Sequence, residues 1–190
     1  MAIDLLPFLQ AVKQIEVPPS YTYEAGVGRY RNTKTGYFVA RKVIERLLND
    51  TEAATGQTLR ALATALAQHR LPAKAWHLAM QQQLGRLHLQ GAALGAGGFA
   101  ALTPAALRRI EDALQADSER LFAFGGAIDA GAISEKQIAN RINMYIGNAR
   151  LQYYHALPPP KTKTGHVVIE RRVLRAGDNC DWCVYLAGLG

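Results

Sequence analysis

Four stretches of the chain repeat apolar side chains at the three- and four-residue spacing that places them on one face of an α-helix. A helix with one apolar face must bury it against other helices, so this feature limits the fold most. The pattern predicts a mainly α fold, a bundle of about four long helices, over residues 38–156. Gly56 is expected to weaken the first helix, and Gly125-Gly126 to mark a kink or a tight crossing. The expected inward residues are Val39, Val43, Leu47 and Leu48 with the adjoining Ile44, then Leu59, Leu62 and Leu66; Trp76, Met80, Leu84, Leu87 and Leu94; Leu107, Ile110, Leu114, Leu121 and Phe122; and Ile138, Ile142, Tyr145, Ala149 and Tyr153.

Prolines, glycines and capping residues set the predicted helix ends. Leu71-Pro72 ends the first helix because proline lacks an amide hydrogen, and the glycines of residues 95–98 end the second. Thr103-Pro104 is typical of a helix start, with a capping hydroxyl before a proline. Ser134-x-x-Gln137 matches a capping box and opens the fourth helix. The short turns predict antiparallel neighbours.

Two segments flank this helical body. Residues 1–37 are predicted to form an N-terminal helix and then an extended arm or loop, with a short hairpin around residues 32–36 as an option. Residues 157–190 begin with a Pro-rich linker and continue as a small β appendage, since residues 166–175 alternate and are β-branched. The chain ends inside that appendage, so we interpret it as truncated or processed.

The arm interleaves aromatic and basic side chains, and it is the best candidate for contact with a partner. Such side chains are common in binding hot spots and also stack on nucleic-acid bases. With few aliphatic residues and several glycines, the arm is expected to be mobile in the free protein. An arm folded against its own helices is the alternative. The candidate partner-binding residues are Tyr21, Tyr23, Arg29, Tyr30, Arg31, Lys34 and Tyr37.

The net charge of +7 is concentrated in two regions on either side of a neutral helical middle. Residues 29–46 carry six basic side chains against one acidic, and residues 134–190 are basic again. Such regions can meet phosphate backbones or acidic protein surfaces, or simply solvate the protein. The candidate nucleic-acid-binding residues are Lys161, Lys163, Arg171, Arg172 and Arg175. No apolar run of about 18 residues occurs, so no membrane partner is predicted.

The only two cysteines, Cys180 and Cys183, form one C-x-x-C motif. Its spacing suits two thiolate ligands of a zinc ion, but a structural site needs four, so the candidate zinc site is incomplete. Inert thiols are an equal alternative, whereas a redox pair is disfavoured because no βαβ pattern precedes the motif. We expect zinc to contribute little to stability, and no other cofactor is predicted. One cysteine pair also favours a reducing, cytoplasmic origin.

The other polar residues predict no catalytic centre, and the chain is interpreted as not an enzyme. Motifs for serine hydrolases, zinc proteases and phosphate-binding loops do not occur. The histidines, including His77 and His88, are interpreted as surface or capping residues. Asp117 and the neighbouring acidic residues are interpreted as ordinary surface partners of nearby arginines.

Several segments occur in an order that carries a resemblance. The arm contains Arg29-Tyr30-Arg31 and Thr35-Gly36-Tyr37-Phe38-Val39, and the body contains Leu94-Gly95-Ala96-Gly97-Gly98, Ser134-Glu-x-Gln137-Ile138-x-x-Arg141 and Tyr145-x-x-x-Ala149-Arg150. A strand with Glu170-Arg171-Arg172 then leads into the C-x-x-C. Together, residues 29–190 resemble the minor head, or head-morphogenesis, proteins of tailed bacteriophages of the phage Mu F-like type.

The resemblance implies a structural virion protein that binds the portal protein, the major capsid protein or both during head assembly. Self-association in a ring and contact with double-stranded DNA are further expected partners. The implied location is the head at the portal vertex, after synthesis in the cytoplasm of the host bacterium. The family's further Cys-rich stretch and its fused toxin or enzyme domains do not occur here, so no activity follows. A nucleic-acid-binding helical protein outside the virion, and a small zinc- or thiol-dependent enzyme, are the alternatives.

Overall fold

The computed structural model describes residues 21–24 and 26–158, and this part of the chain is mainly helical, as predicted. A two-stranded antiparallel hairpin is followed by four long α-helices. The predicted N-terminal helix and β appendage lie outside the described residues. The chain divides into two units between Leu157 and Pro158, where the predicted linker begins. The elements are β1 (Tyr21–Glu24), β2 (Arg29–Asn32), α1 (Arg41–Ala67), α2 (Ala73–Ala96), a 3-10 helix (Phe99–Ala101), α3 (Pro104–Asp129) and α4 (Glu135–Ala156).

The predicted helix ends are correct at Gly97, Thr103 and Ser134, but α1 ends at Ala67, with Gln68 as its C-cap, rather than at Leu71-Pro72. The Thr103 hydroxyl accepts a hydrogen bond from the amide of Ala106 at 3.2 Å, and Ser134 and Gln137 form the reciprocal capping box. Gly97 ends α2 in the left-handed conformation at φ 92°. The expected weak point at Gly56 is wrong, because α1 runs through it. The missing side chain admits Ile146 of α4, whose Cδ1 lies 3.1 Å from where a Cβ would be.

The central element of the bundle is α2, which packs against α1, α3 and α4 and most extensively against α4. From residue 84 to residue 95 it is buried on nearly every side, with Arg86 as the exception. A helix that is apolar all round belongs in the interior, and the other three helices bury their single faces against it. Within the described residues, no helix combines the length and the apolarity that a membrane crossing requires.

The predicted inward positions are correct for α2 and largely correct for α4, but they need correction in α1 and α3. In α3, Phe122 is 69% exposed, and Phe124, at 5%, points inward instead. In α1, Val43, Leu47 and Leu62 are only half-buried, whereas the other expected residues of the helix, Ile44, Leu48, Leu59 and Leu66, are buried. The buried stripe of α1 contains Ile44, Leu48, Glu52, Gly56, Leu59, Ala63 and Leu66.

The predicted arm is a hairpin in which Tyr23 of β1 pairs with Tyr30 of β2. A second turn follows at the place where the sequence suggested a hairpin. There the carbonyl of Asn32 accepts a hydrogen bond from the amide of Gly36 at 2.8 Å. This turn brings Phe38 back beside Arg31 as an isolated antiparallel bridge. The chain then enters α1, so the hairpin is joined directly to the helical body.

Candidate functional site

Tyr30 fastens the hairpin to the helical body. Its ring is 5% exposed and packs in an apolar cluster with Leu94 of α2 and Tyr153 of α4. Its hydroxyl donates a hydrogen bond to the carbonyl of Leu94 at 3.0 Å, and burial raises its pKa well above the ordinary value. Tyr30 is therefore not available to a partner. The expectation of a mobile arm is wrong at this point, and the alternative of an arm folded against its own helices is correct.

Tyr23 supports the same attachment from the neighbouring strand. Its ring meets that of Tyr30 edge to face, with centroids 5.0 Å apart. It also lies so close to Gly97 that a Cβ there would come within 2.1 Å of the ring. Both Tyr21 and Tyr23 are half-buried and pack against the cluster that contains Tyr30. These two candidate partner-binding residues thus contribute mainly to the hairpin's own packing.

The candidate partner-binding residues that remain exposed lie on the outer side of the hairpin. We call Arg29, Arg31, Lys34, Tyr37 and Phe38 the hairpin surface. Tyr37 is 78% exposed, and the guanidinium carbons of Arg31 and Arg29 lie 4.4 and 5.0 Å from the centroid of the Phe38 ring. Arg31 is paired with Glu24, and this hydrogen-bonded pair lowers the pKa of the Glu24 carboxyl. Arg29 and Lys34 form no ion pair with any described residue.

The start of α1 extends this positive charge. Arg41 pairs with Glu45 at 2.8 Å, one helical turn away, and its guanidinium lies 5.6 Å from the centroid of the Tyr154 ring. Lys42 and Arg46 are exposed and have no ion-pair partner in the part of the chain that the structure covers. Most of the positive charge in residues 29–46 is therefore not balanced by an acidic side chain of the described residues.

The candidate nucleic-acid-binding and zinc-binding residues of the C-terminal segment lie outside the described residues. These are Lys161, Lys163, Arg171, Arg172, Arg175, Cys180 and Cys183. Within residues 21–24 and 26–158, no group of three or more His, Cys, Asp or Glu side chains is placed to hold a metal ion.

A buried polar cluster lies at the centre of the bundle, where surface residues were expected. Asp117 of α3 is 2% exposed and His88 of α2 is fully buried; the His88 Nε2 lies 3.3 Å from an Asp117 carboxylate oxygen. Asn148 of α4 donates to the other carboxylate oxygen at 3.2 Å, and Arg120 approaches the same oxygen at 3.5 Å. The interpretation of Asp117 and His88 as surface residues is therefore wrong. Together the four side chains connect three helices.

A second buried polar contact connects the outer helices α1 and α4. Glu52 is 6% exposed and forms a two-pronged ion pair with Arg150, whose Nε lies 2.9 Å from one carboxylate oxygen. The guanidinium also donates to the side chain of Asn49. Hydrogen bonding to Glu52 raises the pKa of Arg150.

A third arrangement places a histidine beside a serine at the edge of α2 and α3. The His77 Nε2 lies 3.2 Å from the Ser118 hydroxyl, which also accepts a hydrogen bond from Gln81 at 3.3 Å. Burial lowers the pKa of His77 and favours the neutral imidazole. Its other nitrogen, Nδ1, has no hydrogen-bond partner among the described residues, so the carboxylate that orients the histidine of a catalytic triad is missing there. The Phe122 ring covers the imidazole at 4.0 Å between centroids.

An open groove runs between the C-terminal half of α3 and the first half of α4. Its volume is about 470 Å³, and it is lined by two arginines, Arg120 of α3 and Arg141 of α4. The groove is formed by residues of two helices, so no single segment of the sequence predicts it. The remaining lining residues are Ala123, Phe124, Ala127, Ile133, Gln137, Asn140 and Met144.

Removal of metal should leave the helical body folded. We expect that excess chelator leaves the far-ultraviolet circular dichroism and the melting temperature unchanged, because the core is built from apolar contacts between the four helices. A chelator-treated sample compared with a zinc-supplemented one would check this. Loss of helical signal with chelator, restored by zinc, would contradict it.

Comparison with known proteins found no match. No protein-family model matches the chain. No curated protein and no solved structure matches it either.

Proposed function

We propose that this chain is a structural, non-enzymatic component of a tailed-phage head, which binds the portal or capsid protein through the hairpin surface. The observation that supports the proposal is the grouping of exposed basic and aromatic side chains on a hairpin that Tyr30 holds in place. The resemblance of residues 29–190 to minor head proteins supplies the identity of the partner. In this proposal the protein is made in the host bacterial cytoplasm and joins the portal vertex as a ring of copies.

A hairpin that is already packed lowers the cost of binding. Little backbone entropy remains to be lost when a partner docks, so the exposed Tyr37 and the guanidinium groups beside Phe38 can contribute more of their contact energy to affinity. Aromatic and arginine side chains dominate binding energy at protein interfaces. The uncompensated charge of Arg29 and Lys34 favours an acidic partner and speeds association at low salt.

The test is incorporation of a hairpin-surface variant into particles of the encoding phage. We expect the triple substitution Arg29→Ala, Lys34→Ala and Tyr37→Ala to lower the copy number per purified head by about tenfold or more, which corresponds to about 1.4 kcal/mol of binding energy. Quantitative mass spectrometry of the heads gives the copy number. Circular dichroism should show unchanged helix content, since none of the three side chains is in the core.

A matched control removes the same charge elsewhere. Arg108 and Lys74 are exposed on α3 and α2. The double variant Arg108→Ala, Lys74→Ala should enter heads at the wild-type level. Equal incorporation of both variants would contradict the proposal, as would absence of the wild-type protein from purified heads.

Binding to nucleic acid outside the virion is the competing outcome. The hairpin surface and the start of α1 have the charge and the rings for contact with a phosphate backbone. If the free protein binds double-stranded DNA with a steep salt dependence while purified heads lack it, the function is nucleic-acid binding instead. If it binds DNA and is also found in heads, contact with packaged DNA is part of the structural role.

A further inference from the structure

The groove between α3 and α4 has the composition of a ligand site. Two cationic side chains, Arg120 and Arg141, and two amide side chains, Gln137 and Asn140, stand over an apolar floor. Its volume of about 470 Å³ is large enough for a small ligand or a few residues of peptide.

The two arginines differ in how their charge is compensated. Arg120 approaches the buried Asp117 carboxylate at 3.5 Å, so part of its charge is already balanced. Arg141 is exposed and forms no ion pair with a residue of the described part. Counting Asp117, the groove therefore has an excess of one positive charge. A single carboxylate would balance that excess, whereas a doubly charged phosphate would place more negative charge near buried Asp117 than the groove neutralises.

The bottom of the groove is lined by apolar side chains, one of which packs in the hydrophobic core. Phe124, only 5% exposed, packs in the core against Tyr145 and Trp76, whereas Met144 is 37% exposed at the groove itself. Ala123, Ala127 and Ile133 complete the apolar lining. A ligand that carries only charge would leave this surface in contact with water. A ligand with an apolar body would cover it and gain the corresponding hydrophobic stabilisation.

Both arginines affect the pKa of Tyr145, whose ring centroid lies 6.0 Å from that of the groove residue Phe124. Burial and nearby Asp117 raise the pKa of Tyr145, while Arg141 and Arg120 lower it. Both arginines line the same groove, so their positive charges border one volume. Two cations acting on one small volume provide a stronger attraction for an anion than either provides alone.

We propose that the groove binds a carboxylate carried on an apolar body. The guanidinium groups of Arg141 and Arg120 hold the carboxylate, and Phe124, Ile133 and Met144 contact the body. Two sources carry this chemistry: the C-terminal end of a peptide with an apolar last residue, and a free aliphatic carboxylate. The proposal does not depend on the hairpin surface, so it can fail or succeed independently of the proposed function.

The experiment titrates the intact protein with octanoate and with acetyl-Ala-Ala-Leu, and follows backbone amide signals by NMR. We expect saturable shifts at α3 and α4 residues of the groove. Octanamide and the amidated tripeptide should bind at least about tenfold more weakly, because a charge-assisted hydrogen-bonded pair is lost. Tighter binding of the tripeptide identifies a peptide terminus as the source, and tighter binding of octanoate identifies a free carboxylate.

Two variants distinguish binding of the carboxylate in the groove from binding elsewhere on the protein. Arg141→Gln should weaken the tighter-binding carboxylate by about tenfold. Arg108→Gln should change its affinity by less than about twofold, because Arg108 lies roughly 18 Å from Arg120 along the same helix. Either of two results would overturn the proposal: no saturable binding of either carboxylate up to about 10 mM, which corresponds to a negligible affinity, or equal affinities for the wild type and Arg141→Gln.

Discussion

Replacing Gly95 by alanine should lower the free energy of unfolding by about 3 kcal/mol. A Cβ at this position would lie 2.4 Å from the carbonyl oxygen of Tyr153 and 2.9 Å from the Cβ of Ala156, both in α4. The nearest of these atoms belongs to the backbone, so no side-chain rotation relieves the contact. The central helix α2 and its main neighbour α4 would have to move apart, with loss of packing along their whole interface. Urea denaturation followed by circular dichroism measures the change.

Gly147 provides the matched control for that substitution. It is also a glycine within a helix, but a Cβ there would meet no atom within 4 Å. Gly147→Ala should therefore raise the free energy of unfolding, by about 0.5–1 kcal/mol, because alanine loses less backbone entropy in a helix. Equal effects of the two substitutions would show that α2 and α4 do not approach each other as closely as described.

Alkaline pH should produce the second large effect, a steep loss of stability between pH 10 and 12. Tyr30, Tyr145 and Tyr153 are buried, and burial raises the pKa of each above the ordinary value of 10, to about 12 for Tyr145. Because the folded-state pKa is the higher one, the stability is complete below pH 10 and is lost as the pH rises through the folded-state values. Tyr145 alone should account for roughly 3 kcal/mol. Urea denaturation at a series of pH values measures the loss.

Single tyrosine substitutions show how much of this alkaline loss of stability each tyrosine causes. Tyr145→Phe should reduce the alkaline decline and should not lower stability at pH 7, since its buried hydroxyl has no hydrogen-bond partner among the described residues. Tyr30→Phe should also reduce the decline but cost about 1 kcal/mol at pH 7, because its bond to the Leu94 carbonyl is lost. An alkaline profile that is the same in Tyr145→Phe as in the wild type would refute the assignment.

Three helix boundaries were predictable because the signals that set them are local, whereas the end of α1 at Ala67 carries no such signal. Thr103-Pro104, the capping box at Ser134 and the left-handed Gly97 each satisfy backbone groups within a few residues of themselves. The attachment of the hairpin was not predictable in the same way. The sequence marks Tyr30 as a candidate for contact with a partner, but only the packed chain shows that its own α1, α2 and α4 surround it.

The buried polar residues were missed although the sequence contains a signal for them. Asp117 lies at the position where the α3 stripe of Leu114 and Leu121 requires an apolar residue. Glu52 and His88 occupy the corresponding positions in α1 and α2. A charged residue at a stripe position predicts a buried partner on another helix. Which partner it has depends on the relative placement of helices, which periodicity does not determine.

The groove with Arg120 and Arg141 could not be predicted for a related reason. Its two arginines come from different helices, and each on its own resembles an ordinary exposed side chain. They come together in one groove only because α3 packs beside α4, and the relative placement of two helices results from the packing of side chains along their whole interface.

The ion pair of Glu52 with Arg150 has a consequence for how many ways this chain can pack. If α4 slid by one turn along α1, about 5.4 Å, Arg150 would move out of reach of Glu52. Glu52 would then be buried without a cation, at a cost of several kcal/mol. The bundle with the shifted helix is therefore higher in free energy than it would be if position 52 carried an apolar residue. The pair therefore acts together with the close contacts of Gly56 and Gly95 against α4 to favour one helix register.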